Sequence, residues 1–475
     1  MKLNLDNKIL KRIGEIADAH GDKAFVVGGY VRDIIIGVEG KDIDIMVLGD
    51  GINFAKTVAQ EFGTELDSIY SHFETALLNT DIYKIEFASA RQESYDKSSR
   101  KPKVRHASLD QDLSRRDFTI NAMAAGLNRD NFGEVFDNFN GAADIENKII
   151  RTPLDPRKTF DDDPLRIMRA VRFASKLNYK IEENTFQAIK EMKTRITETG
   201  VVSQERITNE FLQILMTAKP STGLDLLFRS GVMDIIFPEI SQLEGVDQRK
   251  DFHHKNVFYH TLIVVDNISM NTNNLWLRFA ALVHDIAKPK TKRFVEGTGW
   301  TFHGHEELGA RMMKKIFQRM KFPLQKLEYV EKLVRMHLRP IPLAGDEVTD
   351  SAIRRLAAEA GEELEDLLKL CRADITSKNP DKVSMFMHNY EIVEKKILEV
   401  QKKDKLRNFQ SPVRGDEIMQ ICGLTPGREV GVLKHKIEEA ILDGEIPNEY
   451  DAAKEYLYRI KDKVLKQFTV SKLTI

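Results

Sequence analysis

Cysteine is almost absent from this chain: Cys371 and Cys422 are the only two in 475 residues. Two thiols exclude a disulfide-stapled scaffold and a four-thiolate zinc site, and they suit a reducing compartment. Long hydrophobic runs are missing as well. No stretch of 18 apolar residues occurs, and the charged start MKLNLDNKILKRIGEIADAHGDKAFVV has no apolar core of signal-peptide length. A soluble, cytoplasmic protein with no membrane partner is the expectation. The chain also lacks net charge: 72 lysines and arginines against 73 aspartates and glutamates leave −1. Any groove that attracts nucleic acid therefore has to be local. No internal repeat and no low-complexity tract is found.

What is there divides by pattern. At about 150 residues per domain the chain has room for about three cores. Over residues 1–150 helical patterns alternate with the β-rich runs AFVVGG, DIDIMVL, ETALLN, IYKIEFAS and GEVFDNF, which reads as an α/β head. From Asp161 onward such runs nearly vanish, and segments such as DPLRIMRAVRFASKL carry apolar residues at helical spacing. Residues 151–240 are expected to form a helical neck, 250–380 a second unit, and 381–475 a Lys-rich helical tail. Seven of the twelve histidines fall between His253 and His337, which marks that second unit. Turn formers cluster at 238–252, 379–382 and 408–417.

In the head, FVVGGYVRDIIIG places Gly28 and Gly29 after a strand-like run and before a helical one, where backbone amides and Arg32 can approach phosphate oxygens. A tight turn without a ligand fits equally. Nine residues after Arg32 begins KDIDIMV. Strand periodicity points Asp42 and Asp44 to one face and Ile43 and Ile45 into the core. Paired carboxylates repel unless a divalent cation neutralises them, so the pair reads as a Mg2+ site, with a solvated strand face as the alternative. Glu86 in YKIEFAS is the candidate third carboxylate, on a neighbouring strand, for metal and proton transfer. An exposed edge residue would look the same. Arg166, Arg169 and Arg172 recur every third residue, which predicts one basic stripe on a helix or, alternatively, a solvated face.

In the same order along the chain, GGYVRD, DID, RRDFTINAM, DDPLRIMRAVRF and SQERITNEFLQIL resemble the motifs of class II tRNA nucleotidyltransferases, the CCA-adding enzymes, and the related bacterial poly(A) polymerases. The resemblance is dense over residues 24–240. It implies an α+β protein: a polymerase-β-like nucleotidyltransferase head followed by an all-α neck carrying the base-selecting motif, an HD domain and a helical tail for tRNA. It also implies that Gly29, Arg32 and Arg116 contact the nucleotide, that Asp42 and Asp44 hold metal, and that Asp117 and Asn121 position the ribose. Asp163 and Arg166 match the base-reading pair, although Asp162 stands where the family pattern usually has Glu.

Cytosine and adenine both present an amino donor beside a ring-nitrogen acceptor, so one carboxylate and one guanidinium satisfy either. Guanine and uracil present the reverse order and would leave buried polar groups unpaired. The polar, basic stretch between Glu86 and Arg115, with Arg91, Arg100, Lys101, Lys103 and Arg105, matches the family's flexible loop, whose presence favours complete CCA addition over CC addition. A surface loop without function has the same composition.

The second unit carries VHDIAK, with His284 beside Asp285 after an apolar helical run, where an ionic pair is costly without a metal or partner. This resembles the HD phosphohydrolase superfamily. By position the resemblance implies His260, His284, Asp285 and Asp374 as core metal ligands and His305 and His337 as ligands of a second metal. Asp350 competes with Asp374 for its place. His303 is a further histidine of the same stretch, Lys288 is placed to hold a phosphate, and His253 and His254 are unassigned. Some bacterial CCA-adding enzymes carry such a domain, implicated in phosphatase and 2′,3′-cyclic phosphodiesterase activity.

The expectation is template-independent addition of CCA to the tRNA 3′ end from CTP and ATP, with Mg2+ at the head, a second divalent metal of unknown identity at the HD site, and no obligate protein partner. Rival readings are a poly(A) polymerase, an enzyme limited to CC or A addition, an HD phosphohydrolase with a nucleotide-sensing head, and a plain RNA-binding protein.

Overall fold

The computed structural model describes the chain except residues 72–73, 97–98, 199, 247–255, 345–348, 377–378, 408–410, 443–444, 448 and 473–475. The unassigned His253 and His254 lie outside the described residues, as do the side chains of Arg100, Lys101, Lys103 and Arg105. The backbone forms two compact units, residues 1–342 with 360–390, and residues 343–359 with 391–475.

Among the described residues of 1–136 nine strands occur: β1 Ala24–Val27, β2 Asp42–Val47, β3 Ser68–Tyr70, β4 Thr75–Asn79, β5 Lys84–Ser89, β6 Arg91–Asp96, β7 Ser99–His106, β8 Ala124–Gly126 and β9 Val135–Phe136. Seven of them make one mixed sheet in the order β3-β4-β5-β2-β1-β8-β9, and β6 pairs with β7 as a separate antiparallel hairpin. Only β2 and β5 run parallel in that sheet, with Asp44 opposite Glu86. The alternation in DIDIMV is realised: Ile43 and Ile45 are buried while Asp42 and Asp44 face out. The five β-rich runs expected from the sequence all contain strands, whereas β3, β8 and the β6–β7 hairpin went unmarked. β8 is only Ala-Ala-Gly, too short and too weak in β propensity to stand out.

Beyond the head the described residues of the first unit are helical, apart from the two-residue pair Ile149–Ile150 with Lys180–Ile181 and the hairpin Arg293–Val295 with Gly299–Thr301. The neck helices and those of residues 257–373 do not separate into two cores. Phe211 and Phe237 pack in one chain of rings with Phe279, Phe317, Phe322 and Trp276. Buried Arg278 donates to the carbonyls of Leu215, Thr217, Ser269 and Thr272, so one guanidinium closes the C-terminal ends of helices Gln204–Leu215 and Val257–Ser269.

The second unit has its own apolar core. It is built from Val413, Ile418, Leu433, Ile437, Ala453, Leu457 and Val464 on helices Gly415–Cys422, Arg428–Leu442 and Tyr450–Lys472 and just before them. The helix Asp350–Ala360, expected within the 250–380 unit, belongs almost wholly to this second unit. Among the described residues no helix is long and apolar enough to cross a membrane.

Candidate functional site

β1 ends at Val27, and Gly28 turns the chain into helix Gly29–Ile36. Glycine is required there twice over. Its φ of +71° is unfavourable for other residues, and a Cβ would come within 2.8 Å of Arg116 Nη1 and 3.6 Å of Asp44 Oδ2. The turn therefore sits directly on the carboxylate face of β2. A cavity of about 870 Å3 opens over it, lined by Gly28, Gly29, Arg32, Asp42, Asp44, Arg116, Asp117 and Asn121 from the head. From the neck it takes Asp162, Asp163, Arg166, Arg169 and Arg172. Glu86 lines an adjoining space of about 220 Å3 that shares Asp44, Arg91, Arg115 and Arg116 with the first. The sequence-derived residues of the head are thus brought together, with Asp44 between Glu86 and Asp42.

Crowding by surrounding protein raises the pKa of Asp44, although its side chain still reaches solvent; Arg116 opposes the shift and Asp42 adds to it. Glu86 is raised by burial and by Asp44. Two adjacent carboxylates that resist ionisation, Asp44 and Glu86, are what a divalent cation would relieve. The donor set, carboxylate oxygens only, beside a glycine turn, fits Mg2+.

Arg166, Arg169 and Arg172 do line one cavity, but they are not a free basic stripe. Arg169 makes a 2.5 Å ion pair with Asp117, Arg172 a 2.6 Å pair with Glu210, and Arg166 donates to the Arg115 carbonyl at 2.6 Å. Arg32 is buried and paired with Asp33 at 2.7 Å, donates to Asn121 Oδ1 at 2.7 Å, and shares the ring of Phe173 with Arg169 and Arg172. Asn121 in turn donates to Asp117 at 3.0 Å. Arg32, Asn121, Asp117 and Arg169 thus form one relay from the glycine turn to the neck helix Leu165–Leu177. Burial opposes ionisation of Asp117, yet Arg169 and Asn121 outweigh it and hold its pKa below the ordinary carboxylate value. Asp163 caps that helix, accepting from Leu165 N at 3.2 Å, and its other oxygen lies 3.6 Å from Arg206.

Sequence reasoning missed the supports. Buried Asp112 pairs with Arg115 at 2.6 Å and Arg116 at 3.1 Å and accepts from Arg91 N at the root of the β6–β7 hairpin. Its spacing of three and four residues from those arginines was the available signal. Glu210 and Phe173 lay inside recognised motifs without an assigned role.

The second set converges more tightly. His260, His284, Asp285, His305 and His337 are buried, and their ligand atoms fall into two overlapping triads that share Asp285, each within 4.8 Å. Asp374 joins at the end of helix Leu364–Ala373, 2.9 Å from His260 Nε2 and 3.5 Å from His284 Nε2. Asp350 instead pairs with Arg354 at 3.9 Å in the other unit, and His303 is exposed. His284, His305 and His337 each have Nδ1 within 2.8 Å of a backbone carbonyl, of Ala281, Phe302 and Val334, and His260 Nδ1 meets the Thr376 hydroxyl at 2.8 Å. Tethered at Nδ1, each ring presents Nε2 inward, the arrangement of metal-binding histidines. His284 Nε2 is fully buried and makes no aligned hydrogen bond, an orphan that a cation would satisfy. Lys288, assigned to phosphate from sequence, lies 2.6 Å from Asp285. Burial works against a proton on His284, but Asp285 and Asp374 outweigh it and push its pKa up to about 10; burial and the nearby His284 take His337 down to about 4.

A glycine turn over paired strand carboxylates fits a nucleotidyltransferase, and the buried histidine and aspartate cluster fits an HD domain. Residues 24–151 match the family described as Poly A polymerase head domain, 178–243 the Probable RNA and SrmB-binding site of polymerase A, and 257–379 the HD domain. The chain is 32% identical over 322 residues to the multifunctional CCA protein of Neisseria meningitidis, covering 66% of this chain and 72% of that one. It is 33% identical over 309 residues to an A-adding tRNA nucleotidyltransferase of Aquifex aeolicus, covering 64% of this chain but 35% of the relative. A solved tRNA nucleotidyltransferase with primer tRNA and an incoming ATP analog aligns at TM-score 0.57 and 25% identity, over 80% of this chain and 99% of that one. A tRNA-processing enzyme in apo form I aligns at 0.59 and 26%, over 92% and 98%. The chain belongs to the tRNA nucleotidyltransferase and poly(A) polymerase family of nucleotidyltransferases.

Proposed function

We propose that this protein adds CCA to the 3′ end of tRNA from CTP and ATP without a nucleic acid template. The observation that carries the reading is the single cavity bounded on one side by Gly28, Asp42 and Asp44 and on the other by Asp163 and Arg166. One cleft holds both the reacting phosphates and the base. Gly28, Gly29, Arg32 and Arg116 cradle the triphosphate, and Asp42 and Asp44 hold Mg2+, which when bound neutralises charge at the α-phosphate and on the departing pyrophosphate. Attack by the tRNA 3′-hydroxyl forms the new phosphodiester bond, with Glu86, raised in pKa, set to take the hydroxyl proton. Asp117 and Asn121 fix Arg32 and Arg169 relative to the ribose. Asp163 and Arg166 accept cytosine and adenine and reject guanine and uracil. At the HD centre His260, His284, Asp285, His305, His337 and Asp374 hold a divalent metal for hydrolysis of phosphoesters.

Addition of A alone is the second reading, favoured by the A-adding relatives of similar identity. The test is extension of a tRNA ending at its discriminator base and of one ending in CC, with each nucleotide supplied singly and then with CTP and ATP together. Three residues on the first substrate, with C required before A, support CCA addition. Extension of the second substrate only, by A, means A addition; long A tails mean poly(A) synthesis.

A further inference from the structure

Between Lys288 and His305 the chain leaves the HD centre as a hairpin, Arg293–Val295 against Gly299–Thr301, with Gly297 and Gly299 at φ +79° and +89° in its turn. Both ends are fastened at the centre. Lys288 Nζ lies 2.6 Å from Asp285 and 5.7 Å from the centroid of the Phe302 ring, and the Phe302 carbonyl is 2.8 Å from His305 Nδ1. On the hairpin, Phe294 and Trp300 are direct cross-strand partners with ring centroids 5.3 Å apart, yet they remain 61% and 38% exposed, and neighbouring Val295 is exposed as well. Lys292 Nζ sits 4.6 Å over the Trp300 ring. Residues 288–301 contain Lys288, Lys290, Lys292 and Arg293 against a single acid, Glu296.

A cross-strand aromatic pair helps any hairpin, but that role does not call for two large rings left open to solvent among four cations. Flat aromatic faces beside lysine and arginine are the chemistry that takes a nucleobase by stacking and its phosphate by charge. Trp300 precedes Phe302 by two residues, so their Cα atoms are at most about 7 Å apart. One nucleotide spans a comparable reach between phosphate and base. We propose that Trp300 and Phe294 are a base-stacking platform of the HD centre, which therefore takes a phosphorylated nucleotide, free or at the 3′ terminus of an RNA, in preference to a phosphoester without a base. The proposal rests on the phosphoester reading of that centre.

The full-length chain tests it through its own fluorescence. It has two tryptophans, Trp276, which is buried, and exposed Trp300, and neither lines the head cavity. Nucleotide in the head is therefore silent, and quenching reports the hairpin. The Mn2+-loaded protein is titrated with cytidine monophosphate, with ribose 5-phosphate and with a short oligoribonucleotide ending in a 3′-phosphate. Saturable quenching by the first and third but not by ribose 5-phosphate is expected, with F294A raising the dissociation constant about tenfold at unchanged Mn2+ stoichiometry. Tighter binding of the oligonucleotide assigns an RNA end, and equal binding assigns a free nucleotide. If Mn2+ binds and no nucleotide alters the emission, or ribose 5-phosphate binds as well as cytidine monophosphate, the platform is wrong; an acidic protein partner is then the occupant to seek. If no Mn2+ binds, the metal reading of the centre fails by itself, and quenching in the metal-free protein decides the platform alone.

Discussion

The head cleft and the HD centre are both built around carboxylates, and they hold them in opposite ways. In the head, Asp42 and Asp44 face out from one strand into a cavity of about 870 Å3, and their arginine neighbours are tied to other partners, Asp112, Asp117 and Glu210. At the HD centre, Asp285 is 1% exposed and the rings around it are fixed through Nδ1. In the proposed function the first arrangement is completed by a nucleotide with its cations. The second is a closed set of nitrogen and oxygen donors that suits a resident transition-type metal. The difference teaches that openness, rather than the number of acidic residues, distinguishes the two sites, and the proposed function turns it into a difference in metal retention.

The sharpest way to break this contrast is Asp44→Asn. It removes a ligand from the open site only, so nucleotide addition should fall by at least about a thousandfold while metal retained by the HD centre is unchanged, as read by gel extension and by elemental analysis. Asp285→Asn is the reciprocal experiment. Both triads share that residue, so retained metal should be lost altogether with nucleotide addition kept; loss of addition in a folded variant would merge the two sites into one. Asp117→Asn breaks a buried pair and leaves Arg169 without its charge partner, at about 3 kcal/mol of stability or more, measured by denaturant unfolding. The folded-state pKa of Asp117 is depressed, so its contribution is present above the ordinary carboxylate range and fades only as pH falls below it. The Asn variant should therefore differ most from the parent at neutral pH. Asp163→Ala removes a partly buried carboxylate that accepts from Leu165 N, so it should cost about 1 kcal/mol of stability and relax rejection of UTP and GTP by about ten- to a hundredfold; unchanged rejection would remove the base-reading role.

Legibility in the sequence followed the range of the interactions. The alternation of Asp42 and Asp44 with Ile43 and Ile45 is a period-two signal inside one strand, and the Gly28 turn needs only its neighbours, so both could be read locally. The arginine stripe could not. Arg166, Arg169 and Arg172 look free at a three-residue repeat because the acids that occupy two of them lie 52 and 38 residues away. The same holds for the Nδ1 tethers: a carbonyl leaves no mark in the sequence, so the histidines were visible but not the reason they point inward. Asp374 entered only through resemblance to a family, and the geometry then set it 2.9 Å from His260. The continuity of neck and HD helices was hidden because it rests on Arg278 and a run of phenylalanine rings distributed over more than a hundred residues.

The proposed function gives one chain an open metal site and a closed one, and metal retention tests that most directly. The purified protein is passed through gel filtration in metal-free buffer and its metal counted, alongside Asp44→Asn and Asp285→Asn. Retention of a stoichiometric divalent metal by the parent and by Asp44→Asn, and its loss from Asp285→Asn, is the expected result. A parent that retains none, or a retained metal that depends on Asp44, would contradict the account.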